Sequence, residues 1–393
     1  IRDDLVFFGV DIGSRVDDAM LLALLGASAF VVGHEAVLGK RLSARVPRVS
    51  SAWSPSRALT GACIAAGLGT AFLVAFLLSI DGVSGVRLFL GGRSAELDAL
   101  MRDSPLFLWW LSLLVVPAAL IAFAVAMTKP RTREVVLAAF LIGLALLRTL
   151  PTGSRLNLMV LIGTMVVFVY LHRRRRPGPV ALALGLVVAL MLSYAFLFFR
   201  YAETREDFPS AIKGLASTPE HVVAPVLWGA DAEMAPALAG ALRVIPSELG
   251  YRYGRATLGD LVSRPVPRVV WEGKPLTHTQ QVTEAVWPGP RELGGFDPNF
   301  TPLMSFFWDF GLLGVVVGLF AYGLLARFAY EYFLRAANDG RVQIAYAAAF
   351  WTVVVAARFD PVLLVMHIVV VFVPLLVIFR TSRVRSGAHT VTR

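Results

Sequence analysis

The chain of 393 residues is poor in several things that soluble proteins use freely. It holds a single cysteine, Cys63, so no intrachain disulfide can form and cysteine–zinc chemistry is excluded. Only 16% of its residues are charged, against roughly 25% in an ordinary soluble domain. Lysine is confined to Lys40, Lys129, Lys213 and Lys274, so arginine supplies most of the formal net charge of +10. Walker loops, Gly-x-Gly-x-x-Gly after a strand, Gly-x-Ser-x-Gly and His-Glu-x-x-His are all missing. Asp231-Ala-Glu233 imitates an acidic metal-binding pair, but a solvated helix face is the better reading; no metal and no cofactor is expected.

What is abundant is apolar surface, 57% of residues at a mean hydropathy of +0.68. One globular core cannot hide that excess, because soluble cores stop growing at roughly 250–300 residues. Runs such as Val135–Leu147 and Pro179–Phe199 would stand exposed in water. A soluble enzyme, a disulfide-built secreted domain and a disordered chain are therefore excluded. The expected fold is an all-α polytopic membrane protein, and the positive charge is read against the membrane rather than as a nucleic-acid footprint.

A spanning helix needs roughly 20 mainly apolar residues. Nine segments qualify: 18–38, 58–80, 106–128, 134–150, 155–171, 179–199, 302–326, 342–357 and 361–380. Basic clusters at Lys40–Arg57, Lys129–Arg133, Arg173–Arg176, Arg327–Arg341 and Arg380–Arg393 fall on alternate connections, which predicts a cytoplasmic C-terminus and Ile1 outside. The chain starts on Ile1, and nine spans with an outside start lead us to expect one more span upstream, ten in all. Residues 1–200 thus hold six spans, 201–301 a large extracytoplasmic loop, and 302–393 three spans and a basic tail. The loop's apolar patches, Val222–Leu227 and Met234–Val244, suit short helices lying on the bundle, punctuated by prolines.

Charges at membrane depth are costly and point to function. The fourth and fifth spans are short, so the turn from Arg148 to Arg155 should sit below the outer surface. Arg200 and Arg358 end elements on the same side, and four arginines converge there. Guanidinium groups bind phosphate bidentately and keep their charge, so a lipid-borne diphosphate would suit that depth. Snorkelling to lipid phosphates, or an Arg358–Asp360 pair across the turn, explains the same residues. In the loop, Pro265-Val-Pro-Arg-Val-Val-Trp-Glu-Gly-Lys-Pro275 offers Arg268 and Lys274 around Trp271, either a sugar-and-phosphate grip or a proline-stiffened crossing. His278 and His221 are candidate general bases, each equally readable as a solvated loop residue. Glu248 and Asp260 stand in reserve. Asp309, seven residues inside the seventh span, needs a partner at about 10 Å of depth, expected from an outer arginine; pairing and catalysis are both open to it. His34 and His367 are given no role. Trp228, Tyr251, Trp271 and Trp287 are candidates for a glycan surface or for interfacial anchoring.

Three stretches carry a resemblance: Thr152-Gly-Ser-Arg155 opening a span, Pro267-Arg-Val-Val-Trp-Glu-Gly-Lys-Pro275 in the loop, and Asp309-Phe-Gly-Leu-Leu-Gly314 in the next helix. With the topology, over roughly residues 130–330, the chain resembles the bacterial O-antigen polymerases (Wzy-type oligosaccharide repeat unit polymerases) and the related O-antigen ligases. The resemblance implies a plasma-membrane enzyme performing metal-independent, inverting glycosyl transfer on the outer leaflet. Donor and acceptor would be polyprenyl-diphosphate-linked oligosaccharides, with a chain-length regulator protein as a further partner. It also implies that Arg155 and Arg200 hold the diphosphate, with Arg148 and Arg358 beside them and Arg268 and Lys274 closing from the loop. His278 would take the acceptor's proton, with Glu248 or Asp260 in reserve. Alternatives are a ligase-like transferase, a polyprenyl-monophosphate-dependent glycosyltransferase, with Asp3-Asp4 or Asp17-Asp18 as its acidic pair, and a lipid-linked glycan flippase or carrier.

Overall fold

The structure, a computed structural model, describes residues 6–7, 9–47, 49, 53–91, 105–149, 155–185, 234–264, 266, 270–288, 300–356 and 360–384. Among the described residues the protein is all-α apart from a two-stranded hairpin in which Val6–Phe7 (β1) pairs with Val10–Asp11 (β2). The helices are Val16–Glu35 (α1), Val37–Arg45 (α2), Pro55–Gly91 (α3), Leu106–Leu111 (α4), Val115–Thr128 (α5), Thr132–Thr149 (α6), Arg155–His172 (α7), Met234–Val244 (α8), Asp260–Ser263 (α9), His278–Val286 (α10), Pro302–Leu334 (α11), Gly340–Ala356 (α12) and Pro361–Thr381 (α13). Among the described residues, five helical segments are long and apolar enough to cross a membrane: Gly13–Glu35, Pro55–Leu90, Phe107–Thr128, Pro302–Leu334 and Pro361–Thr381.

The expected segments 134–150, 155–171, 342–357 and 361–380 coincide within two residues with α6, α7, α12 and α13. Of 179–199, only 179–185 is described, and it is helical. At the centre stands α5, buried along nearly its whole circumference from Val115 to Ala126. A helix apolar on every side belongs inside a bundle. Its alanines let α3, α6, α7, α12 and α13 approach closely.

Two of the long helices are not single rods. In α3 the backbone leaves helical geometry at Asp81 and Gly82 (φ 55°), and in α11 at Phe310 and Gly311 (φ 61°). Glycine supplies the positive φ at both. Phe306 and Gly314 would lie about 12 Å apart along a straight helix. Instead, a Cβ on Gly314 would touch the Phe306 carbonyl, and one on Gly318 would meet the Phe306 ring. Residues 302–309 therefore fold back along the helix that starts at 312. The expected segment 302–326 is corrected accordingly: its first turns form a short return helix, and the long helix begins only after Gly311.

Helix ends gather at two opposite ends of the bundle. Arg335 donates to the carbonyls of Ser43 and Val46, Arg341 lies over Trp53, Trp53 pairs with Arg383, and His172 meets Gln343. A Cβ on Gly340 would touch Thr128. The five basic connections therefore meet at one end, as the charge alternation requires. At the other end, α8, α10 and the return helix share a second core containing Trp287, Trp308, Met304 and Ile245.

Candidate functional site

Three helix starts and one short helix converge at the end opposite the basic connections. Thr277 caps α10, accepting from the Gln280 backbone N–H (3.3 Å) while the Gln280 side chain accepts from the Thr277 N–H (3.2 Å). This reciprocal cap fixes the first turn and with it His278, the first helical residue. The Asp260 carboxylate lies at that helix start: its Oδ2 accepts from the His278 backbone N–H (3.2 Å) and meets the ring Nδ1 at 2.7 Å. The other ring nitrogen, Nε2, lies 3.0 Å from Ser305 Oγ on the return helix.

Arg264, one turn after Asp260, ties this group to the start of α13. It donates to Asp260 Oδ2 (3.1 Å) and to Asp360 Oδ2 (3.4 Å). The other oxygen of Asp360 caps α13 through the N–H groups of Val362 (2.8 Å) and Leu363 (3.0 Å). Asp360, raised in the sequence as a partner for Arg358, is thus engaged by Arg264. Burial alone would raise the Asp260 carboxyl, but the hydrogen bonds from His278 and the charge of Arg264 hold it below the usual carboxylate range.

An ionised carboxylate only accepts hydrogen bonds, so the proton sits on Nδ1, and a neutral ring leaves Nε2 as an acceptor for the Ser305 hydroxyl. Asp260, His278 and Ser305 form an oriented chain from carboxylate to imidazole to hydroxyl. His278 is 1% exposed and Ser305 0%, which closes the chain to bulk water.

Lys274 does not point outward as a free cation. Its Nζ donates to the carbonyls of Arg264 (3.2 Å) and Val266 (2.9 Å), fastening the proline-rich segment to the end of α9. Lys274→Met leaves both carbonyls without that donor, at about 1–3 kcal/mol. Limited proteolysis should then cut between residues 264 and 274 faster while the bundle's melting point stays near wild type. An unchanged cleavage rate would refute the fastening role.

Asp309 is buried, and among the described residues no arginine pairs with it: its carboxylate accepts from the N–H groups of Ala256 (2.9 Å) and Thr257 (3.1 Å) and from Thr257 Oγ1 (2.7 Å). The carbonyls of Trp308 and Asp309 accept from the N–H groups of Arg252 and Tyr253, both at 3.0 Å. The return helix ends at Asp309, which leaves its last carbonyls open; loop N–H groups meet two of them and the carboxylate, so Asp309 is a clamp for the turn Arg255–Gly259.

Arg148 differs from expectation as well. It is 1% exposed, its guanidinium 3.8 Å above the Trp109 ring, with Nε donating to Ser112 Oγ (3.0 Å) and Nη2 to the Trp109 carbonyl (3.2 Å). The aromatic face and two neutral acceptors offset the loss of water, and the side chain joins α6 to α4 instead of reaching a headgroup.

Glu248 is exposed in the turn after α8. Trp271 is 42% exposed and Tyr251 39%; the Tyr251 ring meets Phe307 edge-on. Trp287 is an interior anchor, donating to the Phe7 carbonyl at 3.0 Å. Arg200, Arg268, Arg358, His221, Trp228, Asp231 and Glu233 lie outside the described residues, as does the side chain of Arg155, which opens α7. Sequence reasoning missed Ser305 and Arg264, and named Asp360 only as a partner for Arg358. For Arg264 and Asp360 a signal existed: Asp260 and Arg264 stand four apart on a short helix, and Asp360-Pro361 is a capping residue followed by a first-turn proline.

Comparison with protein-family models, curated proteins and solved structures finds no match to this chain.

Proposed function

We propose that this protein is a multi-pass glycosyltransferase of the bacterial plasma membrane, with nine or ten spans, a large extracytoplasmic loop and a cytoplasmic C-terminus. In this reading it polymerises polyprenyl-diphosphate-linked oligosaccharide repeat units. The observation that carries the reading is the buried Asp260–His278–Ser305 chain, built where the loop folds onto the helix starts. A base fixed in one tautomer, with its Nε2 lone pair aimed at a hydroxyl, is what activation of an alcohol acceptor requires.

The reaction then runs in one displacement. The acceptor sugar's hydroxyl oxygen attacks the donor's anomeric carbon as its proton passes to His278 Nε2, once the Ser305 hydroxyl has turned away from that nitrogen and the acceptor has taken its place. The bond from that carbon to the diphosphate breaks, and the diphosphate leaves with the electron pair. Fixed guanidinium groups can stabilise the charge it gains. Arg155 and Arg200 remain the residues proposed for that task; Arg148 and Lys274, being engaged inside the protein, support it only through the scaffold.

Native mass spectrometry of protein purified gently from its host tests the donor. A bound polyprenyl-diphosphate oligosaccharide that disappears in an Arg155→Ala, Arg200→Ala double variant supports the proposal, whereas only bulk phospholipid or a monophosphate carrier opposes it. Arg155→Lys or Arg200→Lys should restore little activity, because an ammonium cannot replace a bidentate fork. Near-normal product formation in both lysine variants would remove the diphosphate assignment.

One observation favours a second reading. Ser305, His278 and Asp260 have the connectivity of a nucleophilic serine with its base and orienting acid. In that case Ser305 Oγ would attack an acyl donor, and Ser305→Ala would abolish activity outright.

A further inference from the structure

A cavity lies at the end of the bundle opposite the His278 group, among the basic connections. It is an apolar groove of about 330 Å³ between α11, α12 and α13, walled by Phe328, Tyr332, Phe333, Phe372, Leu376 and Phe379. Leu376 is 58% exposed, so the groove opens on the bundle's side rather than only at its end. An adjoining cavity of about 670 Å³ is lined by Arg57, Arg380, Thr381, Arg383 and Val384. Arg380 and Arg383 line both, which makes them the junction between an apolar slot and a basic mouth.

The three arginines of the mouth are exposed. Among the described residues none forms an ion pair with a carboxylate; Arg57 donates only to the Arg383 carbonyl, at 3.4 Å. The mouth is held in shape by the Ser54 N–H on the Ser382 carbonyl (2.8 Å) and by the Trp53–Arg383 bridge.

We infer that this composite cavity binds an anionic phospholipid, with the phosphate headgroup between Arg57, Arg380 and Arg383 and an acyl chain in the groove. Charge complementarity decides the occupant. A soluble anion has no use for an aromatic-lined slot, and a zwitterionic lipid leaves the three unpaired guanidinium groups uncompensated. Basic pockets between membrane helices are suited to anionic headgroups. The site is independent of the transferase proposal, since it lies at the other end of the molecule from His278.

The test uses the full chain extracted from vesicles of equal phosphatidylglycerol and phosphatidylcholine, with bound lipid read by native mass spectrometry. Wild type should retain phosphatidylglycerol preferentially. Arg380→Gln with Arg383→Gln should weaken retention about thirty-fold, two arginines near the surface contributing about 1 kcal/mol each, at 1.4 kcal/mol per tenfold. Both positions are exposed, so the variant should fold. Ala345→Trp, which fills the groove and leaves the arginines in place, should reduce retention as well. Phosphatidylglycerol held by the double glutamine variant as by wild type, or phosphatidylcholine held equally well by wild type, overturns the proposal. So does complete displacement of the lipid by inorganic phosphate at matched concentration, which would mark a free-anion site.

Discussion

His278→Gln should lower product formation by about a hundred- to ten-thousand-fold, the usual contribution of a positioned general base. The protein should remain folded, because glutamine can still donate toward Asp260. Asp260→Asn should approach the same loss by another route. The asparagine amide can donate to Nδ1, which favours the tautomer with its proton on Nε2, and the lone pair facing Ser305 is lost. Ser305→Ala should stay within about tenfold of wild type, because the base and its orienting carboxylate are untouched. Assays with a polyprenyl-diphosphate oligosaccharide and a ladder readout separate the cases. A dead Ser305→Ala would transfer the mechanism to a serine nucleophile, and an active His278→Gln would remove the base altogether.

The same carboxylate predicts an acid response. Asp260 is held below its ordinary pKa, near 3.9. Its contribution to stability is therefore fully present above about pH 4 and lost as pH falls through the lower folded value. Thermal melts below pH 4 should show that loss in wild type and not in Asp260→Asn. Equal acid sensitivity in the two would mean that the carboxylate is not held by His278 and Arg264 in the way the distances indicate.

Much of the helical plan was legible because long apolar runs and arginine placement carry it. The boundaries of α6, α7, α12 and α13 follow from hydropathy, and Met234–Val244 from its prolines and apolar patch. The expected segment 58–80 stops just before the break at Asp81 and Gly82, but the break at Gly311 was not legible, because it lies inside a run that remains apolar on either side. A left-handed glycine turns the chain there without any change in composition. That one omission displaced Asp309: read on a straight helix it is a deep charge in need of a cation, whereas at the end of a return helix it meets loop N–H groups. His278 could be picked out by residue type, but Ser305 could not. A serine in an apolar helix has no signal until the fold places it 3.0 Å from an imidazole.

Gly323→Ala should be among the most damaging single substitutions in the bundle, for a reason distinct from chemistry. α1 and α11 run side by side in the same direction, and a Cβ on Gly323 would lie within contact of the Phe30 carbonyl and 2.8 Å from the His34 nitrogen. Gly33 stands in the reciprocal place, where a Cβ would meet the Phe320 carbonyl and Cα. Both obstacles are backbone, so no side chain can swing away, and small residues are what allow membrane helices to approach so closely. The expected cost is at least the about 1–3 kcal/mol of ordinary overpacking. Gly67→Ala and Gly143→Ala provide the contrast, since a Cβ at either has nothing within 4 Å. In those two helices alanine should be neutral or stabilising by up to about 1 kcal/mol. Thermal midpoints and the monodisperse fraction on size exclusion should fall for Gly323→Ala and hold for Gly67→Ala and Gly143→Ala. Equal losses in all three would mean that the α1–α11 contact is not tight. A selective loss should also carry away transfer activity, because the helix that α1 braces is the one whose return segment presents Ser305 to His278.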